Sequence, residues 1–171
     1  CLEFRCVLFR SSFSPDGRYA LSGGSDGTLK LWEVSTGEAI KTFAGHKMEV
    51  TSVAFSPDGS LLASAGNDMV VRLWDPASGT LRPGIGQHES WISSLCFSPD
   101  GKLIASGGAD KTVRLWTSAR MDSVAVVEGF SNEVTCVTFS PKGNLLAVGT
   151  GEVATGSGTP LTRYARSVSK A

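Results

Sequence analysis

Residues 45–75 read GHKMEVTSVAFSPDGSLLASAGNDMVVRLWD, and this stretch decides the fold. Within it, residues 50–55 are rich in β-branched and aromatic side chains and stop at Ser56-Pro57-Asp58-Gly59. Proline fixes φ for the first turn position, Asp58 can bond its own backbone and Gly59 supplies a positive φ, so a hairpin turn is expected there. Residues 61–65 then read as a second strand, 66–68 as a tight turn, 70–74 as a third strand and 80–85 as a weaker fourth. Leu61, Leu62 and Ala63 are apolar in succession rather than alternating. Strands covered on both faces have that pattern, as they would if small sheets were stacked on one another.

The unit recurs at a fixed offset. Ser-Pro-(Asp or Lys)-Gly begins at Ser14, Ser56, Ser98 and Ser140, each 42 residues after the last, and Trp32, Trp74 and Trp116 keep the same interval. A period of this length marks a repeat architecture, in which each unit buries its faces against its neighbours.

Gly45-His46, Ser64, Asp68 and Trp74-Asp75, at this period, resemble the WD-repeat β-propeller, whose blades are four-stranded antiparallel sheets set radially round a channel. The resemblance implies a hydrogen-bonded chain inside each blade, running through a His, a Ser of the second strand, an Asp of the next turn and a Trp of the third strand. Those roles fall on His46, Ser64, Asp68 and Trp74, and again on His88, Ser106, Asp110 and Trp116. The first repeat keeps Ser22, Asp26 and Trp32 but has Phe4 in the His place; the fourth, with Phe130, Val148, Glu152 and Gly158, keeps none. A buried indole or imidazole N–H without a partner costs about 1–3 kcal/mol, which gives such a chain a structural rather than a catalytic purpose.

On this reading residues 1–150 form an all-β propeller segment, an incomplete ring. Its blades lie at about 8–43, 50–85 and 92–127, with a half blade at 134–149. Ser11 takes the place held by Val53, Leu95 and Val137, so the first strand is expected to be a poorly packed edge. Residues 151–171 carry Gly, Ser and Thr where a third strand ending in Trp should be, and read as a disordered tail. Since propellers use four to eight blades, the chain is expected to be part of a larger ring.

Composition narrows the functional classes. Sixteen basic and sixteen acidic residues balance to a formal charge of zero, and the basic ones form no run, so no broad attraction for nucleic acid or anionic membrane is expected. Nothing approaches 18 consecutive apolar residues and the first residues lack a signal-peptide build, so an intracellular, more specifically cytoplasmic, protein is expected. Cys1, Cys6, Cys96 and Cys136 share no repeat position and form no C-x-x-C pair, which argues against a metal site or disulfide framework. His46 and His88 are the only histidines, and there is no recognisable nucleophile, phosphate-loop or His-x-x-x-His motif; neither an enzyme nor a cofactor is expected.

The resemblance implies a protein-interaction scaffold that binds proteins or peptides on the face formed by the loops between blades and the inner hairpin turns. It places Lys47, Glu49, Glu89, Trp91 and Glu133 in the first set and Asn67 in the second. Trp91 stands where neighbouring repeats carry Glu49 and Glu133, and so reads either as an exposed binding residue or as packing for the adjacent loop. Open blade edges offer a route to self-association. Two alternatives are the propeller domain of a larger enzyme and a substrate receptor of a ubiquitin ligase. The W-D-x-R motif that some family members use for the second is absent here, since Trp74-Asp75 is followed by Pro76-Ala77.

Overall fold

A computed structural model describes residues 10–151 and the backbone of 163–167, and every element in that range is a β-strand. The Ser-Pro-Asp-Gly turns are closed by their own side chains. Ser14 Oγ donates to Asp16 Oδ1 at 2.6 Å and accepts the Tyr19 amide at 2.9 Å. Ser56 repeats this with Asp58 and Leu61, and Ser98 with Asp100 and Leu103. Where Lys142 replaces the aspartate, Ser140 Oγ turns to Asn144 Oδ1 at 3.1 Å and still accepts the Leu145 amide. The glycine ending each turn, Gly17, Gly59, Gly101 or Gly143, has φ of 70–73°.

These turns organise four antiparallel sheets. The first is β1 (Ser11–Phe13), β2 (Tyr19–Gly23), β3 (Thr28–Glu33) and β4 (Ala39–Ala44), hydrogen-bonded in that order. The second is β5 (Val50–Phe55), β6 (Leu62–Gly66), β7 (Val70–Trp74) and β8 (Gly86–Gln87). The third is β9 (Ile92–Phe97), β10 (Leu103–Gly108), β11 (Val113–Thr117) and β12 (Ser123–Val127). The fourth is β13 (Val134–Phe139), β14 (Leu145–Thr150) and β15 (Arg163–Ser167). The first strands of successive sheets, β1, β5, β9 and β13, lie side by side as an inner wall, and the fourth strands form the outer rim. The described sheets make an arc, not a closed ring.

Each core is a junction between two sheets. Leu21, Leu29, Leu31 and Phe43 of the first blade pack on Val50, Val53, Leu62 and Trp74 of the second. Ala63, Ala65, Val71 and Leu73 meet Ile92, Leu95, Ile104 and Trp116 of the third. Ala105, Val113 and Leu115 meet Val134, Val137, Leu146 and Val148 of the fourth. This explains the unalternating apolar run at 61–63, because β6 has all five residues buried, with a neighbour on both faces. Side chains also stitch one blade to the next: Leu95 N donates to Ser52 Oγ at 3.1 Å and Val137 N to Ser94 Oγ at 3.2 Å, both 43 residues apart.

Three expectations are corrected or refined. The outer strand of the second blade, expected at 80–85, is the two-residue β8, preceded by an isolated bridge between Trp74 and Leu81. Pro83 has no N–H to give a ladder, and Gly84 turns the chain with φ of 91°. The fourth sheet is more than a half blade: Arg163–Ser167 pairs with β14, from Leu145↔Ser167 to Gly149↔Arg163, where a disordered tail was expected. Main-chain pairing with an open edge asks little of the sequence, which is why no repeat motif announced it. The remainder of that expected tail, 152–162 and 168–171, lies outside the described residues, as do residues 1–9 and with them Phe4. Of the first strand expected at 8–13, the described part is Ser11–Phe13, and Ser11 is exposed as its polar side chain implied.

Candidate binding face and the hydrogen-bond chains beneath it

In the second blade Trp74 Nε1–H donates to Ser64 Oγ at 2.8 Å, Ser64 Oγ lies 2.7 Å from His46 Nε2, and His46 Nδ1 lies 2.8 Å from Asp68 Oδ1. The direction of this chain follows from its ends. An ionised Asp68 only accepts, so His46 Nδ1 carries the proton, Nε2 accepts the Ser64 hydroxyl proton, and the Ser64 oxygen accepts from the indole. The histidine is therefore neutral. Arg72 Nη1 donates to Asp68 Oδ2 at 2.7 Å; its 2.9 Å approach to His46 Nδ1 is a close contact and not a second hydrogen bond, because that nitrogen already donates. The third blade repeats the chain: Trp116 Nε1 to Ser106 Oγ at 2.8 Å, Ser106 Oγ to His88 Nε2 at 2.7 Å, and His88 Nδ1 to Asp110 Oδ2 at 2.8 Å. Here Thr112 N–H and Oγ1–H donate to Asp110 Oδ1. In the first blade Trp32 Nε1 still donates to Ser22 Oγ at 2.8 Å, and Asp26 is held by Thr28.

Electrostatics agree with a neutral imidazole. Burial pushes the pKa of both His46 and His88 below the ordinary histidine value, against the upward pull of Asp68 and Asp110. Burial alone would raise the two aspartates. For Asp68, the bond from His46, the Lys47 amide and the charge of Arg72 more than reverse it, and its carboxyl sits below the usual range. For Asp110 the Glu89 amide, His88 and Thr112 do the same.

These chains hold up the loop face. Asp68 accepts the Lys47 amide at 3.2 Å and Asp110 the Glu89 amide at 3.1 Å, so each aspartate pins the loop that enters its own blade. The inner turns beside them are tight enough to need a left-handed residue: Gly27 in the first blade, but Met69 (φ 66°) and Lys111 (φ 60°) in the second and third. Beside this face and the inner wall is a cavity of about 490 Å³, lined among others by Arg10, Glu49, Asn67, Trp91, Ser94 and Thr135.

Of the six residues expected on the face, the cavity gathers Trp91, Glu49 and Asn67, and leaves Lys47, Glu89 and Glu133 outside its lining. Trp91 is 47% exposed. Glu49 is not a free carboxylate: Arg10 Nη1 lies 2.5 Å from its Oε1, and Asn67 Nδ2 donates to its Oε2 at 3.1 Å. Glu89, largely exposed, sits 3.5 Å from Arg114. Lys47 and Glu133 are exposed, and the Glu133 carbonyl accepts the Gly151 amide at 3.0 Å.

Several contributors were not singled out from the sequence. Arg72 and Arg114 stand 42 residues apart, each four after its aspartate, and that spacing was the available signal. Met48 and Met69 expose their thioether side chains on the same loops, at 54% and 39%, with no counterpart at the equivalent repeat positions to betray them. Arg10 precedes the first strand and offers no motif.

A family model described as the IFT122 first beta-propeller matches residues 7–152. WD repeat domain-containing protein 83 of Danio rerio is 55% identical over 38 residues, 22% of this chain and 12% of that protein. Its Homo sapiens counterpart is 48% identical over 42 residues, 25% of this chain and 13% of that protein. Denticleless protein homolog A of Xenopus laevis is 50% identical over 46 residues, 26% of this chain and 6% of that protein. The chain thus spans about an eighth or less of the length of these relatives. With the model match over most of its length, the strand order and the repeated His-Ser-Asp-Trp chains, the chain belongs to the WD40 β-propeller family.

Proposed function

We propose that this segment is a non-catalytic protein-interaction scaffold, with the loop face over the second and third blades as the surface that meets a protein or peptide. The observation that carries the reading is the cavity of about 490 Å³ with Trp91 half-exposed at its wall. A large aromatic ring beside a polar pocket is the composition of an interface anchor, and Met48 and Met69 on the adjoining loops add adaptable apolar surface. Because Glu49 is already neutralised by Arg10, the face is less acidic than its sequence suggests, and apolar contact through Trp91 carries more of the recognition than charge does. Cytoplasmic location belongs to the same reading.

The test is affinity capture from a cytoplasmic extract with the wild-type chain and Trp91→Ala, with captured proteins identified by mass spectrometry. Loss of a specific protein from the variant, at unchanged urea midpoint, supports the reading; an identical captured set overturns it. Self-association is a second reading, favoured by Phe13, which is 66% exposed among the described residues although its counterparts Phe55, Phe97 and Phe139 pack at junctions. Light scattering over a concentration series distinguishes it, and a constant monomer mass rules it out.

A further inference from the structure

The four Ser-Pro turns are one device built four times, and one copy differs in charge. In the first three the serine hydroxyl donates to an aspartate at 2.6 Å: Ser14 to Asp16, Ser56 to Asp58 and Ser98 to Asp100. A hydroxyl held by an ionised carboxylate makes a short bond, roughly twice as strong as one between neutral groups. The Ser56 hydroxyl and the Ser60 amide in turn hold the Asp58 carboxyl down at about 2, so the anion persists at neutral pH. All three serines are buried.

In the fourth turn Lys142 stands in the aspartate's place, and Ser140 Oγ donates instead to the neutral amide oxygen of Asn144 at 3.1 Å. That bond is longer and carries no charge. Ser140 is half-buried, and Pro141, Lys142 and Asn144 around it are exposed. The Leu145 amide still points at Ser140 Oγ, at 3.1 Å. An ammonium, a main-chain N–H and a side-chain amide thus surround a hydroxyl whose counterparts are each clasped by a carboxylate.

A phosphate would meet opposite surroundings in the two kinds of turn. On Ser14, Ser56 or Ser98 its charge of about −1.5 to −2 would be buried against an ionised aspartate, at a cost in repulsion and desolvation. On Ser140 the Lys142 ammonium and the Leu145 amide are donors for its oxygens, and a half-turn of the Asn144 amide presents its NH₂ in place of its oxygen. Proline after the serine, the feature that proline-directed kinases require, is common to all four turns, so charge and burial are what separate them.

We propose that Ser140 is a phosphorylation site for a proline-directed protein kinase, and that Ser14, Ser56 and Ser98 are closed to the same enzyme. In the transfer a bond forms between Ser140 Oγ and the γ-phosphorus of ATP as the bond from that phosphorus to the β,γ-bridging oxygen breaks. The hydroxyl proton passes to the kinase's base and ADP leaves. β13 starts at the loop face and ends at this turn, so the added charge lies at the opposite end of the blade and does not depend on Trp91 or on what the loop face binds.

The 171-residue chain is incubated with ATP, Mg²⁺ and a recombinant proline-directed kinase chosen because it phosphorylates the free peptide of residues 136–146. Mass spectrometry locates the phosphate and keeps the further motif Thr159-Pro160 separate. Phosphate is expected on Ser140, with Ser14, Ser56 and Ser98 at least about tenfold slower in the folded chain. Lys142→Asp restores the carboxylate clasp; K142D is expected to slow Ser140 at least about tenfold in the folded chain and to leave the free peptide's rate within about threefold. No phosphate on Ser140 of the folded chain overturns the proposal, as do equal rates on Ser56 or Ser98. A K142D slowdown as large in the peptide as in the folded chain assigns the selectivity to the kinase and overturns the role given to the turn.

Discussion

Trp74 donates its indole N–H to the hydroxyl oxygen of Ser64 at 2.8 Å, with both residues buried. Trp74→Phe keeps a ring against Phe43, whose centroid is 5.7 Å away, and removes only that donor and part of the volume. It is expected to destabilise by about 1–3 kcal/mol. His46→Ala cuts the same chain at the next link, so the double variant should lose less than the sum of the singles. Urea unfolding of the three proteins decides; strict additivity would mean the groups do not act as one network.

The neutral histidines make stability depend on pH. In the unfolded chain His46 and His88 titrate near 6.5, and in the folded chain burial holds both below that. Between those values the unfolded state binds more protons, so stability is full above about pH 6.5 and falls as pH drops towards the lower folded values. Two such groups set a ceiling of about 2.7 kcal/mol per pH unit. The depressed Asp68 and Asp110 add a second loss, below the ordinary carboxylate value. Urea midpoints from pH 8 to pH 5 should decline, and a flat profile over that range would contradict the assigned tautomers.

The glycine beneath the indole changes place between blades. A Cβ on Gly45 would lie 2.7 Å from Trp74 Cη2, whereas the equivalent position in the next repeat is Gln87, and it is Gly86 whose Cβ would strike Trp116, at 2.9 Å from Cε2. Gly45→Ala and Gly86→Ala should each cost about 1–3 kcal/mol through overpacking. Gln87→Ala should fall within about 0.5 kcal/mol of wild type, as exposed substitutions do. Thermal unfolding of the three variants checks the one-residue shift, and a cost at Gln87 equal to that at Gly86 would refute it.

Trp91→Ala separates binding from packing. The half-exposed indole is expected to contribute under 1 kcal/mol to folding and about 2 kcal/mol or more to capture of a loop-face partner. Unfolding and capture are measured on one preparation. A lowered urea midpoint with unchanged capture would make Trp91 a packing residue and remove the strongest member of the face.

The legible part of this molecule was what repeats. Three successive tryptophans, four Ser-Pro turns and two His-Ser-Asp-Trp sets at one interval specify the sheets and the chains inside them, because each copy solves the same burial problem with the same groups. What did not repeat was hidden. Pro83 displaced β8 by local backbone chemistry, and β15 formed on an open edge by main-chain pairing that needs no motif. The binding face was legible as a set of loops but not as a charge distribution, since the neutralising partner of Glu49 is Arg10, 39 residues earlier and in a different blade.

The links from Ser52 to the Leu95 amide and from Ser94 to the Val137 amide bear on how such a chain grows over evolutionary time. The donor in each is a main-chain N–H, which any residue but proline supplies, and the acceptor travels with the preceding unit. A tandem duplication of one 42-residue segment therefore arrives with a working seam on its leading side, before any substitution has tailored it.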